Sequence, residues 1–239
     1  MGIYSDNLEE EVRLERMRPE QVAKAKGRRT AIYVPFGSVE WHGYHNPLGL
    51  DAIKTHEQLI GLALKAGGVV YPPVFFGSGG GHTDWPNTFM VSKSPMATIV
   101  TELLQGFERD GYTQAVLISG HYPNRPEYLD NAIDAYQVAG GKMRVLALIE
   151  NQTPGVSGDH AAQFETSSML YLHPELVDHA ILQAGVDTDD AVHNWMGPEY
   201  HDHPCYGLVG IDPRGHASAE LGQLNTERLI DYLEQWLNS

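Results

Sequence analysis

The chain is 239 residues long, with 42% hydrophobic and 20% charged residues, 25 Gly and 14 Pro, the balance of an ordered globular protein of one domain. Its formal net charge of −15, from 31 acidic and 16 basic residues, repels phosphate backbones and anionic membranes and so excludes nucleic acid and membrane surfaces as expected partners. No apolar run reaches the ~20 residues of a bilayer span; the single Cys205 allows no internal disulfide, and the opening segment MGIYSDNLEEEVRLERMRPEQ lacks the apolar core of a secretory leader, so the expected location is cytoplasmic.

In chain order, residues 7–26 are charged and read as helical with an interruption at Pro19, and TAIYVPF (30–36) is a β-branched and aromatic run that reads as the first core strand. A loop, GSVEWHGYHNPLGLD, leads to a helix from Asp51 to Ala66, with Ile53, Ile60, Ala63 and Leu64 at helical spacing and Gly67-Gly68 as its stop. VVYPPVFF reads as a strand, and the glycine-rich loop FGSGGGHTDWPNT precedes a helix signalled by Ser94-Pro95, with Ile99, Leu103 and Phe107 facing the core and Gly111 past its end. AVLIS (115–119) is a further strand, GHYPNRP a loop, Tyr128 to Tyr136 a helix, and MRVLALI a strand. HAAQFETSSMLYL and the stretch from about Ala217 to Leu237, with Leu229, Leu233 and Trp236 in phase, read as the last helices. Strand, loop and helix alternate, which implies right-handed crossovers and a mainly parallel sheet with helices on its faces. In such sheets ligands bind beyond the carboxyl ends of the strands, where the chemically interesting residues of this chain fall.

Twelve histidines, many flanked by Asp, Glu or Gly, direct attention to metal chemistry. Glu40 and His42, two positions apart, project from one face of an extended segment. Asp51 opens a helix, where a carboxylate is favoured, and is placed to bridge two cations. His121 follows the AVLIS strand and Gly120, whose missing side chain lets backbone pass close to the site. Glu165 lies five residues after His160, about 140° away on a helix of 3.6 residues per turn. Taken singly, each carboxylate is more often a surface charge or a cap, and each histidine more often a structural one. As an ordered set, Glu40, His42, Asp51, His121 and Glu165 suit a pair of divalent ions, Zn, Mn or Fe, better than a closed structural zinc site.

The segment VPFGSVEWHGYHNPLGLD resembles the signature of the creatininase family, a Pro-x-Gly-Ser, Glu-x-His-Gly, His-x-Pro-x-Gly, Asp pattern, and the resemblance continues through His82 with WPNT, SGHYPN, DHAAQFETSSML, HPELV and GIDPRGHASAELG. It implies a three-layer α/β/α sandwich around a mostly parallel sheet, assembly into a homo-oligomer, commonly a hexamer, and a small-molecule substrate. By position it implies that Glu40 and His121 hold one metal and His42 the other, that Asp51 bridges them, that Tyr122 and His160 lie near substrate, and that Ser78 is on the substrate side. Creatininase itself has NGHYEN, whose Glu is a ligand, where this chain has SGHYPN with Pro123; other members complete the site with the Glu of the later Glu-Thr-Ser motif, here Glu165. Creatinine is therefore not the expected substrate, and Ser119, Tyr44 and Asn46 also depart from the usual residues. The expected activity is hydrolysis of a cyclic amide or formamide C–N bond by a metal-bridging hydroxide, with His160 passing a proton to the leaving nitrogen. The competing classes are a non-catalytic binding or assembly paralogue and a metal-dependent isomerase or lyase. His193, His201, His203 and His216 surround a Gly- and Pro-containing region that reads as a solvated loop rather than a lid or second site.

Overall fold

The computed structural model describes residues 2–6, 8–183 and 189–239. Its centre is a parallel four-stranded sheet in the order β2-β1-β3-β4, formed by β1 (Ala31–Phe36), β2 (Val69–Val70), β3 (Gln114–Ser119) and β4 (Arg144–Ile149). All six residues of β1 are buried, as a strand covered on both faces requires.

Alternate side chains of the sheet feed two cores. Ile32, Val34, Phe36, Ala115, Leu117 and Ala147 face α1 (Pro19–Arg28), α3 (Lys93–Arg109) and α4 (Asp130–Val138). Ala31, Tyr33, Val116, Ile118 and Leu148 face α2 (Leu50–Ala66) and the last helix, α7 (Ala219–Asn238). The result is a three-layer α/β/α sandwich, as the sequence pattern and the resemblance imply. α5 (Gln163–Leu172) packs on α7, the short α6 (His179–Leu182) follows, and β5 (His193–Asn194) pairs antiparallel with β6 (Val209–Gly210). Among the described residues, no helix is long and apolar enough to cross a membrane.

Several local readings need correcting. Pro19 does not interrupt a helix but begins one, at the first helical position, where its missing N–H has no intrahelical partner to lose. Upstream, Val12 O accepts from Val70 N at 2.8 Å, so this segment extends the sheet edge. VVYPPVFF is a strand only at Val69–Val70; Pro72 and Pro73 have no N–H for the ladder, and pairing resumes where Val74 N donates to Pro35 O at 2.9 Å. Along α3 the stripe Met96, Val100, Leu104 and Phe107 meets the sheet, and Ile99, one position off it, is 45% exposed. On α2, Leu64 is likewise exposed, because the buried apolar set is Leu59, Ile60, Leu62 and Ala63.

The first turn of α2 crosses the carboxyl ends of β1 and β3, and two glycines make room for it. A Cβ on Gly37 would lie 2.2 Å from Ala52 N, and one on Gly120 would lie 2.5 Å from Asp51 O. Both contacts are backbone and do not yield. Gly37→Ala and Gly120→Ala are each expected to destabilise the protein by about 1–3 kcal/mol or more by forcing α2 away, whereas Gly27→Ala, on α1 with open space around it, gains about 0.5–1 kcal/mol. Urea midpoints of the three variants check the opposed signs.

Candidate metal centre

Four chain segments deliver their side chains to one place beyond the sheet. The loop after β1 carries Ser38, Glu40 and His42, and it is tied down by the Glu40 N to Leu48 O bond at 2.9 Å and by His42 Nδ1, which donates to Glu40 O at 3.0 Å. Asp51 sits in the first turn of α2 and Glu165 in the first turn of α5, where unpaired N–H groups and the helix dipole favour a carboxylate. Glu165 Oε2 accepts from Ala161 N at 2.7 Å, and Asp159 accepts from the N–H groups of Phe164 and Glu165. His121 follows β3, held by Ser119 Oγ donating to its carbonyl at 2.7 Å. Asn124 fastens three strands of the loop cluster, donating to Gly37 O and Ser119 Oγ and accepting from Ser78 N.

All five sequence-predicted ligand residues meet, and all are buried. His121 Nδ1 is 2.7 Å from Glu40 Oε2 and 3.6 Å from Asp51 Oδ2, while Ser38 Oγ donates to that same Asp51 oxygen at 2.7 Å. On the other side, His42 Nε2 is 3.3 Å from Asp51 Oδ1 and 3.7 Å from Glu165 Oε2. Asp51 thus turns one oxygen to each group. Ligand atoms of Glu40, Asp51 and His121 lie within 4.8 Å of one another, as do those of His42, His160 and Glu165.

The donor set fits a pair of divalent cations. With its Nδ1 proton committed to Glu40 O, neutral His42 aims the Nε2 lone pair at two carboxylates, and this buried nitrogen has no hydrogen-bond partner. Lone pairs facing lone pairs are stable only around a positive charge. Absent a metal, protons supply it: burial works against charged His42 and His121, yet Asp51 with Glu165, and Asp51 with Glu40, outweigh it and raise them to about 9 and about 10. Burial likewise works against the carboxylates, but His121 with His82 holds Glu40, and His42 with His121 holds Asp51, below the usual carboxylate range.

Above the cluster opens a cavity of about 760 Å³ whose lining includes Glu40, Asp51, His121, Tyr122, His160 and Glu165. His160 is not on α5: it precedes the helix and pairs with Val209, so the helical offset from Glu165 expected from spacing does not apply. Its Nε2 donates to Trp41 O at 2.9 Å and its ring stacks on His82 at 4.0 Å; burial and the charge on His42 push it down to about 3. The Tyr122 hydroxyl is buried without a hydrogen-bond partner. Ser78 lies behind the site, bonded to Asn124 through its N–H, and does not line the cavity.

Four residues near the centre escaped the sequence-based reading of roles. His82 places Nδ1 3.3 Å from Glu40 Oε1, Asp159 is raised to about 7 by burial and then by Glu165, and Lys54 and Glu150 form a buried pair beside Glu165. For Lys54 a signal existed, since Asp51, Lys54, Thr55 and Gln58 recur at helical spacing. His193, His201, His203 and His216 form no metal-ligating group among the described residues; His193 faces Asp189, and His201, exposed, faces Asp202.

The chain is similar to known proteins over nearly its whole length. The family model described as creatininase, creatinine amidohydrolase, matches residues 15–237. A creatinine amidohydrolase from Pseudomonas putida is 29% identical over 219 residues, 81% of this chain and 79% of its own length. A 3-dehydro-scyllo-inosose hydrolase from Thermotoga maritima is 26% identical over 248 residues, covering 85% and 75%. The manganese form of creatininase shares the fold with a TM-score of 0.79 at 24% identity, covering 96% of this chain and 98% of that one.

Because His42 and His121 carry protons up to about pH 9 and 10, an ion entering the cluster displaces them. Zn²⁺ or Mn²⁺ binding is expected to release close to two protons per chain near pH 7, and apparent affinity to rise up to tenfold per pH unit for each proton displaced. Calorimetric titration in buffers of different ionisation enthalpy reads the proton count directly; a count of zero rejects the assignment of these histidines as ligands.

Proposed function

The chain belongs to the creatininase family, and on that premise we propose that it is a dinuclear metal-dependent amidohydrolase acting on an uncharged cyclic amide or formamide other than creatinine. The observation that carries the reading is the split carboxylate of Asp51, with one oxygen beside His121 and the other beside the partnerless His42 Nε2. Glu40 and His121 would hold one ion, His42 and Glu165 the other, and Asp51 both. When bound, such a pair supplies Lewis acidity towards a carbonyl and lowers the pKa of water towards neutrality.

The remaining work falls to the cavity. His160 is unprotonated at neutral pH and, with Nε2–H fixed on Trp41 O, offers Nδ1 to take a proton from the attacking water and return it to the leaving nitrogen. The Tyr122 hydroxyl, kept un-ionised by burial and then by the surrounding carboxylates, donates a hydrogen bond to substrate. No Lys or Arg lines the cavity among the described residues, and its walls combine Phe164, Met196 and Ile211 with the amides of Asn151, Gln163 and Asn194. A neutral, hydrogen-bonding substrate matches that lining, whereas a carboxylated one finds no Lys or Arg partner there among the described residues and meets several carboxylates. Pro123, which has no ligand atom, supports the choice of Glu165 and the exclusion of creatinine. Assembly into a homo-oligomer accords with family membership and with the exposed Phe76, Phe89 and Ile99.

Elemental analysis of the purified protein is expected to find about two Zn, Mn or Fe per chain, with none in Asp51→Ala. His160→Ala should keep both ions while kcat falls by about 10²–10⁴. In a panel of lactams and formamides scored by amine or formate release, uncharged compounds should exceed their carboxylated analogues at least tenfold in kcat/KM. A metal-free active protein, or a preference for the carboxylated series, would overturn the proposal.

A further inference from the structure

Glu165 is gripped from two sides. Oε2 accepts from Ala161 N and faces His42, whereas Oε1 accepts from Lys54 Nζ at 2.9 Å. Lys54 is fully buried, its ammonium also 2.6 Å from Glu150 Oε2 and 5.3 Å from the centre of the Phe164 ring, and Gln58 Nε2 donates to Glu150 Oε1 at 2.7 Å. Asp51, Lys54 and Gln58 stand at i, i+3 and i+7 on α2, so a single helical face presents the shared carboxylate, the ammonium and the amide that anchors the ammonium's partner.

This arrangement is poorly explained as a stabilising device, since apolar side chains of similar volume usually replace a buried ion pair at little or no cost. Nor does it serve charge balance at the metal centre: Lys54 and Glu150 cancel, leaving the three ligand carboxylates uncompensated for cations. Its specific effect is geometric. An ammonium on Oε1 leaves Glu165 one oxygen to offer on the His42 side and fixes the rotation of the carboxylate about its own axis.

We propose that Lys54, anchored by Glu150, is a positioning residue that restricts Glu165 to single-oxygen ligation and thereby sets the affinity of the ion on the His42 side, without acting on the ion held by Glu40 and His121. The inference rests on the two-ion reading above. Outer partners that orient metal ligands in this way are worth about 10–100-fold in metal affinity.

The test titrates metal-free protein with Co²⁺, following visible absorption and chelator competition, with thermal unfolding in parallel. Wild type takes up two equivalents. Glu150→Gln retains the Lys54–Glu165 contact and binds both ions within about threefold of wild type. Lys54→Met combined with Glu150→Gln removes one positive and one negative charge together; the first equivalent binds as in wild type, and the second is weakened about 10–100-fold with an altered absorption band. Lys54→Gln, whose amide has an N–H for each carboxylate, recovers part of the second-site affinity and keeps the inference testable should the double variant fail to fold. Unchanged binding of both ions in the double variant, equal loss of both, loss of the second ion in Glu150→Gln, or no recovery in Lys54→Gln overturns the role of Lys54. Uptake of fewer than two ions by wild type overturns the two-ion reading instead.

Discussion

Negative charge concentrated in a buried space is the constraint around which this molecule is arranged. Glu40 and Asp51 present oxygens within 4.8 Å of each other, a separation at which two charges repel by about 3–4 kcal/mol at an effective dielectric near 20. Glu165, Glu150 and Asp159 crowd the same region. Such a cluster persists only if positive charge or hydrogen-bond donors meet it on every side. They do: two histidines within the cluster, Lys54 behind Glu165, the Ser38 hydroxyl below, and the amino ends of α2 and α5 pointing at Asp51 and Glu165.

The parallel sheet makes that concentration possible. Because β1 and β3 run side by side in register, the loops leaving them reach the same edge, one with Glu40 and His42, the other with His121. α2 then has to return across both strand ends with its first turn inward, and the absent side chains at Gly37 and Gly120 fix how near Asp51 comes. Asn124 ties the ends together by bonding to both strand-end loops and to the glycine-rich loop. The apolar cores on the two faces hold the sheet, and the sheet holds the charges.

The sequence made much of this legible. Alternating apolar runs and glycine stops located the strands and helices, and the ordered set from Glu40 to Glu165 located the five residues that meet, because ligand chemistry restricts residue types. Errors fell where a local rule has two outcomes. Pro19 breaks a helix or begins one, and Ile99 and Leu64 are apolar yet face outward, because periodicity gives a stripe but not which neighbour it meets. Lys54 and Glu150 were harder, since in a linear sequence a charged residue defaults to the surface. Only the phase of Asp51, Lys54, Thr55 and Gln58 on one helix face points inward, and Glu150 has no such phase, its partner Lys54 lying far back in the sequence on α2. His160 reads from the sequence as part of a helix that in fact begins three residues later, since spacing alone does not reveal the Val209 bridge.

A division of labour follows from where charge is and is not tolerated. Beneath the cavity floor lie charged groups that are paired or fully hydrogen-bonded. Along the cavity wall stand groups that are polar but neutral: His160 kept unprotonated by burial and by charged His42, Tyr122 kept un-ionised by burial and the carboxylates, and three side-chain amides. A charged His160 would be cut off from water and would add repulsion against His42, with ring centroids 4.7 Å apart; burial first, and then that repulsion, keep it neutral at rest. A proton placed on it during the proposed reaction is unstable there and readily passed on, which is the property required of a group that must collect a proton from water and surrender it to a departing nitrogen. The carboxylates pull the other way, Glu40 and Asp51 favouring a proton on His160, so its empty Nδ1 depends on its burial and on the charge that those same carboxylates keep on His42.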